Sequence, residues 1–177
     1  MKHLKGSCLC GSVEIQVPDN FHFIGYCHCS ECRKWSGSAF TSGGLVDSAD
    51  FQITKGEESV SYFHKSEETD LAFCKNCGSS LFSKKLKRGK SIVRLGILND
   101  APSQKPSTHI FVGSKAPWYD ISDKLTQFDE LPQGSSFSEV SSQTLKPLAR
   151  ICSSLASSAC FRAALAISMP ESAACWD

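Results

Sequence analysis

The stretch DLAFCKNCGSSLF, residues 70–82, carries a tight cysteine pair between two segments of β type. Leu71 and Phe73 lead up to Cys74, and Cys77 is followed by a glycine and two serines. A C-x-x-C-G turn between two strands is typical of a zinc knuckle, in which backbone N–H groups face two thiolates bound to one ion. The stretch therefore predicts a pair of strands joined by a metal-binding turn.

The chain on both sides of this stretch repeats the β-type pattern. Val13, Ile15 and Val17 alternate with polar residues in SVEIQV, and Phe51 and Ile53 do so in DFQITKG. Further strands are predicted in SSLFSKKLKRGKSIVRLGIL, around a turn at Arg88, Gly89 and Lys90, and in STHIFVGSKAPWYDI, before a turn at Lys115–Pro117. Short strands separated by Gly and Ser, without helical periodicity, predict an antiparallel all-β domain.

The composition changes after Pro132. Residues 133–177 are rich in Ser and then in Ala, and weak helical periodicity runs through Ile151 and Leu155. We expect a domain over residues 1–132 and an extension of unknown role over 133–177. A short helix and a poorly ordered tail are both open for this extension.

The overall composition bounds the function. The chain has 177 residues, 41% hydrophobic and 21% charged, with a formal net charge of +1. These values are typical of a globular protein, and the charge does not indicate nucleic acid or an anionic membrane as a partner. The N-terminal MKHLKGSCLCG lacks an apolar run, and no window is long enough to cross a bilayer. A cytoplasmic protein without a membrane partner is the expectation.

The chain has ten cysteines, a number that indicates disulfides, metal binding or catalysis. Disulfides are one interpretation, but neighbours this close rarely bridge each other without strain, and no export signal is evident. Convergence on metal ions is the preferred interpretation. Seven of the cysteines form tight clusters: Cys8 and Cys10, Cys27, Cys29 and Cys32, and Cys74 and Cys77; Cys152, Cys160 and Cys175 have no ligand-like spacing.

Two of the clusters together would make a closed site. Cys8 and Cys10 are alternate residues, so in an extended segment both sulfurs would face one ion. With Cys74 and Cys77 they would form a four-thiolate zinc site of structural type, which ties the N-terminus to the middle of the chain. Spacing alone does not decide which clusters share an ion.

The remaining cluster, in CHCSECRKWSG, supplies three cysteines. Cys27 and Cys29 would share one side of an extended segment, and Cys32 would return after a short turn. Three thiolates leave a fourth zinc position for water or substrate, as in catalytic sites. The alternative is a fourth protein ligand. His28 is the nearest candidate, although alternation should point it away. His22, His64 and His109 are expected to be ordinary surface or strand residues, although the fold could bring any of them to the site.

Four stretches in order, GSCLCGSV, YCHCSECRKWSGSAF, FCKNCGSSLF and SKAPWY, resemble the family of glutathione-dependent formaldehyde-activating enzymes, which includes centromere-protein-V-like members. The resemblance runs from about Gly6 to about Leu131. It implies a β-tent (Mss4-like) fold, with antiparallel sheets organised around two zinc ions. It also assigns the ligands: Cys8, Cys10, Cys74 and Cys77 for a structural zinc, and Cys27, Cys29 and Cys32 for a catalytic zinc.

The activity implied by the resemblance is that of a carbon–sulfur lyase, similar to S-(hydroxymethyl)glutathione synthase. The substrate would be an adduct of glutathione, or of another small thiol, with formaldehyde or a similar aldehyde. Arg33 and Lys34 directly follow the third cysteine and are candidates to bind the substrate carboxylates, with an ordinary solvated face as the alternative. No general acid or base stands out.

A second function class stays open at this point. A module with two structural zinc ions could bind a protein or nucleic-acid partner without catalysis, because fold does not fix function. The basic run KKLKRGK, residues 84–90, is the one local feature in favour of nucleic acid, and such a run is more often a solvated turn. Trp35, Phe40, Trp118 and Tyr119 are either walls of a substrate pocket or members of the core.

Overall fold

The structure is a computed structural model that describes residues 2–132. The predicted extension, residues 133–177, lies outside the described residues, together with Cys152, Cys160 and Cys175. Within residues 2–132 the strands are β1 (His3–Ser7), β2 (Glu14–Pro18), β3 (Phe23–Cys27), β4 (Thr41–Asp47), β5 (Gln52–Lys55), β6 (Val60–Ser66), β7 (Thr69–Cys74), β8 (Ser80–Lys85), β9 (Lys90–Arg94), β10 (Thr108–Ile110) and β11 (Thr126–Gln127). The helices are α1 (Ser30–Ser36) and three 3-10 turns, Glu57–Ser59, Leu95–Ile97 and Val112–Ser114.

The strands form two sheets. One has three strands in the order β1-β2-β5, and the other has eight in the order β11-β10-β3-β4-β9-β8-β7-β6. The prediction of a mostly-β domain is confirmed. Most strand pairs are antiparallel, as expected, and at one edge β10 pairs in parallel with both β3 and β11.

The core follows the alternation seen in the sequence. Ile15 and Val17 of β2 are buried, while Glu14 is exposed. These residues pack in one hydrophobic cluster with Phe82 and Val93 from the larger sheet. Burying each such side chain contributes about 1.5–3 kcal/mol to folding. The two sheets therefore share one core, which also contains two cysteines of the candidate metal sites, Cys8 and Cys74.

Helix α1 replaces the short turn expected before Cys32. Its N-cap is Cys29, whose side chain accepts a hydrogen bond from the backbone N–H of Cys32, and its C-cap is Gly37 with φ of 62°. Cys32 is its one buried residue. A seven-residue helix with a single buried position has no apolar periodicity, so its sequence carried no helical signal.

In the described part of the chain, no helix combines the length and the apolar character that a membrane span requires.

Candidate metal centres

The first cluster joins the N-terminal turn to the knuckle between β7 and β8. The sulfurs of Cys8 and Cys10 lie 3.5 Å apart, and that of Cys10 lies 3.9 Å from that of Cys74. The expected extended segment at Cys8–Cys10 is a turn instead, closed by a hydrogen bond from the N–H of Gly11 to the carbonyl of Cys8. The turn, and not an extended segment, therefore brings the two sulfurs together.

The knuckle itself is built around Gly78. This residue has φ of 74°, in the left-handed region, and its N–H donates to the carbonyl of Cys74 at 2.8 Å. The Ser79 hydroxyl and the Ser79 N–H lower the pKa of Cys77 to about 5. Burial raises the pKa of Cys74 to about 11, against backbone N–H groups of the turn that act in the opposite direction. The turn thus supplies donors that favour thiolates.

The four sulfurs of this cluster fit a zinc ion. They lie within 4.8 Å of one another, and two of the four residues, Cys8 and Cys74, are buried. Zinc–sulfur bonds of about 2.3 Å in a tetrahedron place sulfurs about 3.8 Å apart, which matches the spacings given above. Thiolate donors of this number and arrangement are those of closed structural zinc sites.

The second cluster lies at the junction of β3 and α1. Cys27 ends β3, Cys29 caps the helix and Cys32 lies in its first turn. All three are buried, and their sulfurs lie within 4.8 Å of one another. Within residues 2–132, no fourth Cys, His, Asp or Glu joins this group. Cys29 is disulfide-bonded in the structure, so the set fits zinc once that sulfur is reduced to the thiolate.

His28, between two of these cysteines, does not belong to their group. It is fully buried, and its Nε2 lies 2.8 Å from Nδ1 of His109. Its Nδ1 is buried without a hydrogen-bond partner among the described residues. Burial, with added repulsion from the charges of His109 and Lys115, lowers the pKa of His28 to about 4. The side chain is therefore neutral near pH 7.

His109 is a strand residue of β10, as expected, and it has specific hydrogen-bond partners. It is buried, and its Nε2 lies 3.0 Å from Oδ2 of Asp123. A carboxylate only accepts, so His109 Nε2–H donates to Asp123; in the tautomers that satisfy both contacts, His28 Nε2–H then donates to Nδ1 of His109. The pKa of Asp123 is lowered mainly by the hydrogen bond from the backbone N–H of Leu125, and to a smaller extent by His109. His22 and His64 do lie at the surface, paired with Asp47 and Asp70, respectively.

Arg33 and Lys34 lie on α1 beside the second cluster and have different surroundings. Arg33 is half-buried, its Nη2 donates to the carbonyl of Ser114 at 3.4 Å, and its Nε is buried without a partner among the described residues. Lys34 is exposed at the rim of a shallow groove. Their roles in substrate binding stay predictions, and Arg33 has the closer relation to His28, whose pKa it helps to lower.

Arg94, at the end of β9, is a charged residue that the sequence did not single out. It is 8% exposed, and its Nε and Nη2 donate to the hydroxyls of Ser80 and Ser83. Burial lowers the pKa of Arg94, and the sulfurs of Cys32 and Cys27 oppose that shift. A guanidinium keeps its proton in such surroundings. It places a positive charge beside the second cluster.

The four aromatic residues named as candidates for a pocket wall, Trp35, Phe40, Trp118 and Tyr119, differ in their surroundings. The Phe40 ring packs on Tyr26, His28 and Tyr119, with centroids 4.9 to 5.5 Å apart. Trp35 packs between Phe63 and Phe73, whereas Trp118 is 71% exposed. Phe40 and Tyr119 therefore cover the neutral imidazole of His28.

The basic run at residues 84–90 is not a continuous patch. Lys85 is buried, and its Nζ donates to the hydroxyl of Thr69. Lys87 and Lys90 pair with Glu68 and Asp47. The basic residues of this run are therefore divided among separate local contacts.

Comparison with known proteins gives one family. The family model described as glutathione-dependent formaldehyde-activating enzyme matches residues 3–114. This range contains all seven clustered cysteines, together with Arg94 and His109.

Individual relatives are distant. An uncharacterized lyase of Schizosaccharomyces pombe is 23% identical over 130 residues, which cover 72% of this chain and 92% of the relative. A putative glutathione-dependent formaldehyde-activating enzyme of Penicillium rubens is 30% identical over 115 residues, 63% of this chain and 60% of the relative. A crystal structure of a Rhodobacter sphaeroides protein is similar with a TM-score of 0.46 and 24% identity, over 58% of this chain and 98% of that chain.

Proposed function

Because the chain belongs to the glutathione-dependent formaldehyde-activating enzyme family, we propose that it is a zinc-dependent carbon–sulfur lyase or synthase. Its substrate would be the adduct of glutathione, or of another small thiol, with formaldehyde or a similar small aldehyde. The observation that carries the proposal is the group of three buried sulfurs, Cys27, Cys29 and Cys32, beside a separate group of four. Three ligands are typical of catalytic zinc and four of structural zinc.

The reaction balances without any other reagent. In the synthetic direction the thiol sulfur forms a bond to the aldehyde carbon, the C=O π bond opens, and the thiol proton ends on the new hydroxyl oxygen. The lyase direction reverses these changes. Zinc held by the three thiolates would supply Lewis acidity and lower the pKa of a bound thiol. Cys8, Cys10, Cys74 and Cys77 would hold the second ion in a structural role.

The protein's own groups prepare the second cluster for this chemistry. Three thiolates and one Zn²⁺ carry a net charge of about −1, which the buried guanidinium of Arg94 offsets. The cap hydrogen bond from Cys32 N–H to Cys29 Sγ, 3.3 Å long, fixes the sulfur at the start of α1. A hydrogen bond from a backbone N–H stabilises a thiolate and so favours the ligating form.

The histidine chain supports the same segment. His28 is held by His109, and His109 by Asp123, so the backbone between Cys27 and Cys29 is anchored from the side of β10. We place these three residues as positioning residues. Nδ1 of His28 is buried without a hydrogen-bond partner among the described residues.

The test is the rate of exchange between ¹³C-formaldehyde and its glutathione adduct, measured by NMR above the spontaneous rate. The protein is full length, zinc-loaded and in reductant. We expect acceleration by the parent chain and its loss in Cys29→Ser. Serine is itself a good N-cap, so the variant removes a metal ligand while keeping the start of α1. Cys175→Ser, the same chemical change outside the two clusters, should retain the acceleration. Undiminished exchange in Cys29→Ser with the zinc of the second cluster lost would refute the proposal.

A further inference from the structure

A cavity of about 370 Å³ lies between the two cysteine clusters. One side is formed by the end of α1 and the start of β4, and the other by the knuckle at Gly78 and Ser79. Two residues of the wall next to the second cluster are hydrogen-bonded to the backbone of that cluster. The hydroxyls of Ser36 and Thr41, two lining residues, both donate to the carbonyl of Cys32, at 2.8 and 3.0 Å. A group in this cavity would therefore lie beside the second cluster.

Arg94 lines this cavity, and its positive charge faces neutral partners. Its two hydrogen-bond acceptors, the hydroxyls of Ser80 and Ser83, are neutral. No carboxylate among residues 2–132 pairs with it, and its Nη1 makes no hydrogen bond to a residue in that range. A buried guanidinium with an unused N–H donor is suited to bind an anion, because its planar fork of donors matches a carboxylate.

The other lining groups add donors and no negative charge. Trp35 lines the cavity, and its indole Nε1–H is buried without an acceptor among the described residues. Ser42 and Ser79 add hydroxyls, and no lining residue is Asp or Glu. A buried donor without an acceptor lowers the stability of the fold unless a ligand supplies the acceptor. The surplus of donors fits an anionic, oxygen-bearing ligand.

We propose that this cavity is the subsite for a carboxylate of a peptide-like thiol substrate, with Arg94 as the cation that binds it. The inference rests on the proposed function and names the group that would hold the substrate while its sulfur reaches the second cluster. The volume suits such a group, because ligand cavities measure about 300–1,000 Å³. Arg94 would then bind the substrate carboxylate and also offset the negative charge of the thiolate cluster.

Two variants test the subsite by independent routes. Arg94→Lys keeps the positive charge but loses the planar fork. Gly96→Leu fills the cavity instead, since Gly96 lines it and a Cβ built there meets nothing within 4 Å. Gly96→Ala is the matched control, because it adds the Cβ alone and leaves most of the volume open. If Arg94→Lys does not fold, as judged by circular dichroism, Gly96→Leu decides the test.

The probe is S-methylglutathione, titrated calorimetrically into the full-length, zinc-loaded chain. Its sulfur cannot form a thiolate, so its affinity reports on the peptide part. We expect binding at least about tenfold weaker in Arg94→Lys and Gly96→Leu, and within about twofold of the parent in Gly96→Ala. The diester of the probe, with both carboxylates blocked, should bind the parent about as weakly as the probe binds Arg94→Lys.

The outcomes separate this inference from the proposed function. Unchanged affinity in Gly96→Leu and Arg94→Lys, or no binding of the probe by the parent, overturns the subsite even if formaldehyde exchange is accelerated. Arg94-dependent binding of the probe by a chain that does not accelerate exchange keeps the subsite and overturns the lyase.

Discussion

The Nε2 atom of His28 lies 2.8 Å from Nδ1 of His109, so a side chain between two candidate zinc ligands is tied to a residue 81 positions further along the chain. The parallel pairing of β10 with β3 makes this contact, since it sets Ile110 opposite Cys27. The backbone N–H of His28 also donates to the carbonyl of Ile110. The segment with Cys27 and Cys29 is therefore held by both main chain and side chain.

This relationship predicts the effect of His109→Leu. The substitution leaves Nε2–H of His28 buried without an acceptor, which costs about 1–3 kcal/mol. We expect a loss of that size in the free energy of unfolding, measured by urea denaturation of the zinc-loaded chain. The matched control is His64→Leu, which breaks an exposed pair with Asp70 and should change stability by less than about 1 kcal/mol.

A similar loss in both variants would contradict the prediction. It would mean that the hydrogen-bonded chain of His28, His109 and Asp123 contributes no more than a surface pair. Near-neutral behaviour of His109→Leu would point to a bound group or water that satisfies His28 in its place.

The two cysteine groups predict two zinc ions that leave under different conditions. Elemental analysis in reductant should give about two ions per chain, and a mild chelator should remove about one while the circular dichroism spectrum persists. The ion held by three sulfurs should leave first, because it has one protein ligand fewer. Lowering the pH should release both, since protons compete for the thiolates. Cys77→Ser should destabilise the fold more than Cys32→Ser does.

Simultaneous loss of both ions, with unfolding, would contradict this assignment and favour a module in which both metals are structural. About one ion per chain in fully reduced protein would show that one of the two groups does not bind zinc. Protein refolded with cadmium gives a second readout, because each thiolate–metal set adds a charge-transfer band of its own.

The knuckle glycine gives a prediction about the backbone alone. Gly78 has φ of 74°, and a Cβ built there meets nothing within 4 Å. Gly78→Ala should therefore cost about 1–2 kcal/mol through the left-handed backbone and nothing through packing. Gly96→Ala is the control, because its site is equally open and its φ lies outside the left-handed region. Thermal unfolding of both variants checks this; equal stability would show that the knuckle relaxes to accept a side chain.

Much of the fold could be predicted because its signals are local. Alternation at Ile15 and Val17 predicts β2, and the apolar run into Cys74 predicts β7 and the knuckle. The tight spacing of the seven cysteines likewise predicted metal-binding clusters. The family resemblance, and not the spacing, assigned these clusters to one set of four and one set of three, which are the sets that the structure brings together. The strands and the clusters depend on neighbours within a few positions of the chain.

What the sequence missed depends on distant pairing. His109 and Asp123 reach His28 through a parallel strand pair, for which no local pattern exists. Arg94 reads as an ordinary strand residue, and it lies near Cys32 and Cys27 only because β9 pairs with β4 and β4 with β3. Helix α1 is too short, with a single buried residue, to show a period.

The last prediction concerns the cysteines beyond Pro132. A full-length variant with Cys152→Ser, Cys160→Ser and Cys175→Ser should keep about two zinc ions per chain in reductant, because residues 2–132 supply both groups of sulfurs. Its acceleration of formaldehyde exchange should lie within about twofold of the parent. Cys32→Ser is the control, since it removes one sulfur of the second group and should lower the zinc content to about one. If the triple variant also falls to about one ion, a sulfur beyond Pro132 completes the second site. That site would then have four protein ligands, and the non-catalytic zinc module would become the better account of the protein.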